Sequence, residues 1–255
     1  MALGDLDPGL HLGDPARKQR YVTAVFDTIA PRYDRFTRWF SFGMDRGWKR
    51  QLTGWAAAAL ADGGVLLDLA CGTGDLACGV GGRDGSADRA GRALTLIGLD
   101  PSRAMLRIAS ARRIAVPTFR PVRGDMMAIP LPARSVDVVT VGYGYRNTPD
   151  VRGALAETAR VLRPGGWLFD LDFFKPAPRA WRRLYLWYLR RAGRLVGQWW
   201  HGEPEAYGYI ARSIERWLTP GEFRAALASA GFSVERRAER LGGGICLHGA
   251  RRRAS

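Results

Sequence analysis

The chain is expected to fold as an α/β domain, a mostly parallel sheet with helices on both faces. Three observations carry that expectation. Short apolar runs rich in Val, Leu and Ile alternate with amphipathic stretches through the middle of the chain. Glycine-containing turns punctuate the alternation. The 255 residues, 47% of them hydrophobic, suit one domain with a sizeable core.

The elements follow in order. Residues 1–20 read as a loose leader, and 21–250 as the single domain. GGVLLDLA is the first buried strand, and it runs into a turn in VLLDLACGTGD (Val65–Asp75). GGRDGSADRAGRA (Gly81–Ala93) reads as a flexible loop. ALTLIGLD (Ala93–Asp100) is the second strand, and PSRAMLRIASARR is a helix with Pro101 and Ser102 as start signals. PTFRPVRGD (Pro117–Asp125) holds the third strand, SVDVVTVGYG the fourth and GGWLFDLDFF the fifth. DVRGALAETARVLRPGG is a helix capped by Asp150 and stopped by Pro164-Gly165-Gly166. LTPGEFRAALASAGF (Leu218–Phe232) has Thr219 as N-cap, Pro220 at the first helical position and Gly231 as its stop. Residues 251–255 are a frayed tail.

Several function classes are disfavoured. No apolar run reaches the 18 or so residues of a membrane span, and the start of the chain lacks a secretory pattern. Cys71, Cys78 and Cys246 are odd in number and form no CxxC, so neither a disulfide framework nor a metal site is expected. Cys71 reads as a small residue suited to a tight loop. A cytoplasmic protein fits. The formal charge of +15 invites a nucleic-acid reading, but all the basic residues except Lys18, Lys49 and Lys175 are arginine. That bias points to a GC-rich genome as much as to a partner. The N–P–P–aromatic motif of adenine methylation and a Pro-Cys pyrimidine nucleophile are both absent. No nucleic-acid partner is expected.

In parallel sheets of this kind ligands sit beyond the carboxyl ends of the strands. The turn Gly72-Thr73-Gly74 follows the first strand, with Ala77 where a dinucleotide site has its third glycine. The glycines alone do not choose a ligand. Asp68 before the turn and Asp75 after it would repel a pyrophosphate and welcome a cation. S-adenosyl-L-methionine carries an ammonium and a sulfonium and no phosphate. Asp100, ending the second strand, can accept from a ribose diol. Asp125 and Met126, ending the third, can offer an acceptor and a backbone N–H to an adenine. Met105 can pack on its face.

DLACGTGD, GLDPSRAML, GDMMAIPLPARSVDVVT and RVLRPGG resemble the successive motifs of class I methyltransferases. Four further stretches resemble the ubiquinone/menaquinone biosynthesis C-methyltransferases: Phe26–Arg50, GYGYRNTPD (Gly142–Asp150), LDFFKP (Leu171–Pro176) and LGGGICLHGA (Leu241–Ala250). The resemblance covers about Tyr21 to Ala250. It implies a Rossmann-like, seven-stranded sheet with an antiparallel final strand, N-terminal lid helices over 21–55 and a cap segment over 177–217. It implies ring C-methylation of a polyprenyl hydroquinol, demethylmenaquinol being favoured and a benzoquinol precursor or another small aromatic acceptor the alternatives. It implies that Thr73, Asp100, Asp125 and Met126 line the cofactor, with a backbone contact at Gly142. Arg146 and Asn147 are implied near the reacting ring, and Tyr33 and Asp34 in the lid. Arg146 is the first choice to stabilise a phenolate, since guanidinium keeps its charge. His201 and His248 are lesser candidates for a base. Four departures from the family pattern stand out: Thr37 for an asparagine, Tyr145 for a leucine, and Asp172 and Phe174 for a glutamate and a serine. They leave a different acceptor, or a non-methylating relative, in play.

The segment Pro176–Trp200 holds six arginines, no acid and four of the chain's nine tryptophans. Tryptophan and arginine suit a headgroup interface. Residues 177–200 are therefore a candidate for peripheral contact at the inner face of the membrane. The other reading is a cap packed over the site or across a homodimer interface.

Overall fold

The computed structural model describes residues 15–60, 63–81, 94–112, 119–200 and 212–254. Most of the leader, residues 82–93 of the glycine–arginine loop and His201 lie outside the described residues, as do the side chains of Trp199 and Trp200. Seven strands form one sheet: β1 (Gly64–Leu69), β2 (Leu94–Asp100), β3 (Phe119–Arg123), β4 (Val136–Gly142), β5 (Leu162–Phe173), β6 (Phe232–Arg240) and β7 (Ile245–Arg252). Their order is β3-β2-β1-β4-β5-β7-β6. The first five pair in parallel, and β7 runs antiparallel between β5 and β6. This is the class I architecture the resemblance implies.

The central strands are apolar on both faces because both faces are covered. Successive strand residues point to opposite sides. Leu67, Leu69, Val139 and Val141 therefore enter one core with Leu155 of α6 (Val151–Val161) and Phe223 and Leu227 of α8 (Pro220–Ser229). Leu66, Leu96 and Val138 enter a second core with Leu52 and Ala56 of α3 (Met44–Ala59) and Leu76 of α4 (Asp75–Gly81). The other α-helices among the described residues are α1 (Pro15–Ile29), α2 (Tyr33–Phe40), α5 (Arg103–Arg112) and α7 (Arg179–Trp200).

Local chemistry sets the ends. Asp150 accepts the Arg152 N–H, capping α6. Thr219 and Glu222 form a reciprocal capping box on α8. Ser102 Oγ accepts the Met105 N–H, capping α5. One expected stop is displaced. Helix α6 ends at Val161, ahead of Pro164-Gly165-Gly166, which belong to the start of β5. A side chain at Gly166 would lie 2.9 Å from the Arg163 and Asp137 carbonyls, so this glycine serves a close approach of chains. The three cysteines are free, and burial pushes the Cys71 thiol well up, which leaves it inert.

Candidate active site

A cavity opens where β1, β2 and β4 end, under α1 and α2, with about 940 Å³ of space when the part open to solvent is included. Its floor is made by main chain. Ala70, Gly72 and Gly74 take left-handed φ of 51, 52 and 78° as the chain leaves β1. The turn is pinned by Asp100, whose Oδ2 accepts from Gly72 N (2.8 Å) and Oδ1 from Ser102 N (2.8 Å). Asp68 accepts from Thr140 Oγ1 (2.8 Å) and from Ala77 N (3.2 Å) at the start of α4. Asp125 Oδ1 accepts from Met127 N (2.9 Å). Burial pushes the Asp68 carboxyl up to about 7 and the Asp100 carboxyl up to about 6, with those hydrogen bonds pulling back part of the shift.

Asp68, Gly72, Thr73, Asp100, Met105, Asp125, Met126 and Gly142 all line the cavity. Gly74 does not; a side chain there would meet the Phe119 ring at 3.0 Å, so this glycine makes room for the core. At Gly142 a side chain would lie 2.8 Å from Leu76 Cδ1, which leaves only backbone on that wall.

The roof is made by α1, α2 and α3, the helices expected to act as a lid. Asp34 Oδ1 accepts from Thr73 Oγ1 (2.9 Å). Asp27 on α1 accepts from Ser102 Oγ (2.5 Å) and Ala104 N (3.2 Å). Lys18 Nζ donates to the Thr148 carbonyl (2.5 Å), and burial lowers its pKa to about 8. Lys49 reaches from α3 to Asp75 (2.8 Å) and Asp45 (3.3 Å). Burial works against its charge, but these carboxylates and the Tyr33 phenol hold its pKa above the usual value. Tyr33 lines the roof, set edge-on to Phe26, and burial raises its phenol against the pull of Lys49.

The third wall is the loop after β4. Tyr143 has φ 60, uncommon for a bulky residue, between two glycines that could not carry side chains without displacing neighbours. Its ring packs on Phe173 at 5.2 Å, and its hydroxyl is buried with no partner among the described residues. Burial pushes that phenol well up, so it stays a neutral donor. Asn147 lines the cavity while its Nδ2 donates to the Tyr143 carbonyl (2.8 Å).

Arg146, implied near the reacting ring, sits one residue from the wall residue Asn147. It does not line the cavity. Its Nε donates to Asp172 Oδ1 (3.2 Å), its guanidinium to Ser213 Oγ (2.5 Å), and its own N–H to Asp172 Oδ2 (3.1 Å). His248 is also outside. It faces Asp170 at 3.3 Å between the Phe174 and Phe223 rings, and burial lowers its pKa to about 3, so it offers no base to the cavity.

None of the four departures lines the cavity. Tyr145 is fully buried, its hydroxyl bonded to Thr158 Oγ1 (2.8 Å) and its ring against Phe223. Phe174 packs on the same Phe223. These two substitutions enlarge one shared core and leave the cavity wall untouched. Thr37 donates to the Tyr33 carbonyl (2.7 Å) inside α2, and Asp172 holds Arg146. Sequence reasoning does not single out Lys49, Tyr143 or Asp27. For Lys49 a signal exists: a lysine retained in a chain that otherwise uses arginine.

A family model described as the ubiE/COQ5 methyltransferase family matches residues 15–252. The chain belongs to the ubiE/COQ5 methyltransferase family. It is 36% identical over 228 residues to a 2-phytyl-1,4-naphtoquinone methyltransferase of Thermosynechococcus vestitus, covering 87% of this chain and 95% of that one. It is 37% identical over 214 residues to a demethylmenaquinone methyltransferase of Thermus thermophilus, covering 82% and 92%. Solved structures share the fold at lower identity. A putative methyltransferase from Bacillus halodurans superimposes with a TM-score of 0.58 at 17% identity, covering 80% of this chain and 99% of that one. The [4+2]-cyclase SpnF does so with 0.58 at 18%, covering 81% of each. The fold thus hosts more than one chemistry; the family match and the cavity narrow it.

Family members use S-adenosylmethionine, and the cavity fits it. Five carboxylates line it (Asp34, Asp68, Asp75, Asp100, Asp125), and among the described residues its one cationic lining residue, Lys49, is already paired with acids. An acidic cavity in a chain of charge +15 suits a cationic ligand without phosphate.

Proposed function

We propose that this family member C-methylates the ring of a polyprenyl hydroquinol, with a demethylmenaquinol-type naphthoquinol as the acceptor. The observation that carries the choice is the match to two relatives whose names specify naphthoquinone and menaquinone substrates. A benzoquinol acceptor is the second reading, favoured by the similarity (33%) to a ubiquinone/menaquinone C-methyltransferase of Geobacter sulfurreducens.

S-adenosylmethionine, when bound, supplies an electrophilic methyl group. Asp100 is suited to its ribose, Asp125 and Met126 to its adenine, and Gly72, Thr73 and Gly142 to the amino-acid end. The protein's work is to hold an electron-rich ring carbon against that methyl and keep water out. Ring C–H becomes ring C–CH₃, and one proton leaves. Tyr33, Tyr143 and Asn147 surround the acceptor space, and neutral phenol and amide donors there stabilise a ring oxygen as it becomes phenolate. Lys49, beside Tyr33, adds a fixed positive charge to that wall. Arg146 acts from behind as a positioning residue, tying the Tyr145–Asn147 turn to Asp172 of β5. Replacing Arg146 by Lys then lowers kcat through misplacement of Asn147 without altering cofactor affinity.

A tailed quinol must be collected from a bilayer. Among the described residues no helix is long and apolar enough to cross one, and we place the protein in the cytoplasm, at the inner membrane face when working. Helix α7 buries Tyr185, Leu186 and Leu189 and exposes Trp181, Leu184, Trp187 and Tyr188, a face fit for a bilayer or a second copy. Transfer of a labelled methyl to a panel of naphtho- and benzoquinols tests the function. Labelling of the naphthoquinols is expected; labelling of no quinol refutes the proposal.

A further inference from the structure

The lid has a tip that the catalytic reading leaves unused. Helix α2 carries Tyr33 and Asp34 on the cavity wall at its start, and α3 carries Lys49 on the same wall one turn in. Between them the chain leaves the site along α2, about 10 Å at the usual helical rise, turns at residues 41–43 and comes back. At that turn three large apolar side chains stand in solvent: Trp39 (62% exposed), Phe42 (77%) and Met44 (41%).

The turn is built to hold them there. The N–H groups of Ser41, Phe42, Gly43 and Met44 all find backbone carbonyls. Ser41 Oγ and Asp45 lock the base of the turn at 3.0 Å. Phe42 sits at φ 51, a backbone conformation that bulky residues rarely adopt. An ordered turn that spends strain to project an aromatic ring is not a frayed loop.

The charge around the tip selects its occupant. Arg38 and Arg46 flank it and are exposed, with exposed Arg35 and Arg50 farther along its two legs. The two acids of the stretch turn inward, Asp34 to Thr73 and Asp45 to Ser41 and Lys49. Self-association through this knob would set arginines against the same arginines of a second copy. An anionic lipid surface takes both parts, the apolar side chains below the headgroups and the guanidinium groups among them.

We propose that the tip Trp39–Met44 inserts into anionic membrane and is the element that seats the cavity mouth at the bilayer. Both legs of the tip are cavity wall, so insertion brings the acceptor space to the depth from which a tailed quinol ring can slide in. The purpose rests on the quinol reading above; the membrane contact does not.

The test is vesicle flotation of the full chain with equimolar phosphatidylglycerol and phosphatidylcholine, and with phosphatidylcholine alone. The wild type is expected to float with the anionic vesicles and not with the neutral ones. Trp39→Ser/Phe42→Ser is expected to lose at least about tenfold in vesicle affinity while keeping its cofactor affinity and its methylation of a short-tailed, water-soluble quinol. Methylation of a long-tailed quinol embedded in vesicles falls with the binding. Arg38→Glu/Arg46→Glu, which leaves the apolar tip intact, is expected to lose anionic-vesicle binding as well, and it keeps the test open should the first variant fold poorly. Flotation of both variants like wild type overturns the proposal. So does loss of binding in Trp181→Ser/Trp187→Ser with the tip variants unaffected, which would give the membrane to α7. Equal binding of wild type to neutral and anionic vesicles overturns the charge argument. Absence of quinol methylation in every protein would sink the substrate reading and leave the flotation comparison standing.

Discussion

The floor and the roof of the cavity are held in different ways. On the floor, backbone N–H groups of Gly72, Ser102, Ala77 and Met127 are gathered by Asp100, Asp68 and Asp125. These contacts tie main chain at or just beyond the strand ends that build the sheet. The roof hangs mainly on side chains: Asp34 to Thr73, Asp27 to Ser102, Lys49 to Asp75. Such contacts can exchange for water at small net cost. On the proposed function, the cofactor would be received by a fixed surface, and the acceptor by a surface that can part.

The largest effect expected from this contrast is on the floor. Asp100→Ala strands two N–H groups, at about 1–3 kcal/mol each. Cofactor affinity should drop by about a hundredfold or more in calorimetry, and a change under about tenfold would break the distinction. Next comes pH. Folding raises the Asp68 and Asp100 carboxyls to about 7 and about 6. The folded chain therefore binds more protons than the unfolded one above the usual carboxylate range, and stability without ligand falls as pH rises from about 4 to about 7. Affinity for a cationic cofactor moves the other way over the same window, weakening as pH falls and these carboxyls take up protons. The ligand's own amine stays protonated there, its ordinary value being about 7.7–8.0. Titration calorimetry at several pH values reads both trends; a flat affinity would remove the two carboxylates from cofactor recognition.

On the roof, Asp34→Ala should raise the acceptor KM by roughly three- to tenfold and leave cofactor affinity within about threefold, as loss of one exchangeable hydrogen bond implies. Equal damage to both would mean that floor and roof are one unit. The smallest effect belongs behind the site. Tyr145→Phe leaves the Thr158 hydroxyl one partner short and costs about 1 kcal/mol in denaturant unfolding, with kcat and KM unchanged. A kinetic defect would return this departure to the cavity wall.

The same contrast explains what can be read from the sequence. The floor is local: a strand, a turn with left-handed residues and a capping acid lie within a few positions of one another. Asp68, Gly72, Asp100 and Asp125 are legible from the amino-acid order alone. Proximity groups Gly74 with them, whereas the Phe119 ring it makes room for is far off in the chain. The antiparallel β7 and the lid follow from resemblance, since nothing local encodes where they dock. Arg146 shows the limit most clearly. Its loop is legible, but which way its guanidinium turns depends on Asp172 and Ser213, 26 and 67 residues away. Tyr143 escapes notice because a strained backbone and an unpartnered hydroxyl have no sequence signature.

The central claim is that an acidic, lidded cavity moves a methyl group to the ring carbon of a quinol. The most direct measurement is NMR of the product formed from a demethylmenaquinol and cofactor carrying a ¹³C methyl. The account predicts a single labelled methyl on a ring carbon, at the position that bore hydrogen. A labelled methoxy group, or an unlabelled quinol after full incubation with active, cofactor-binding protein, would contradict it.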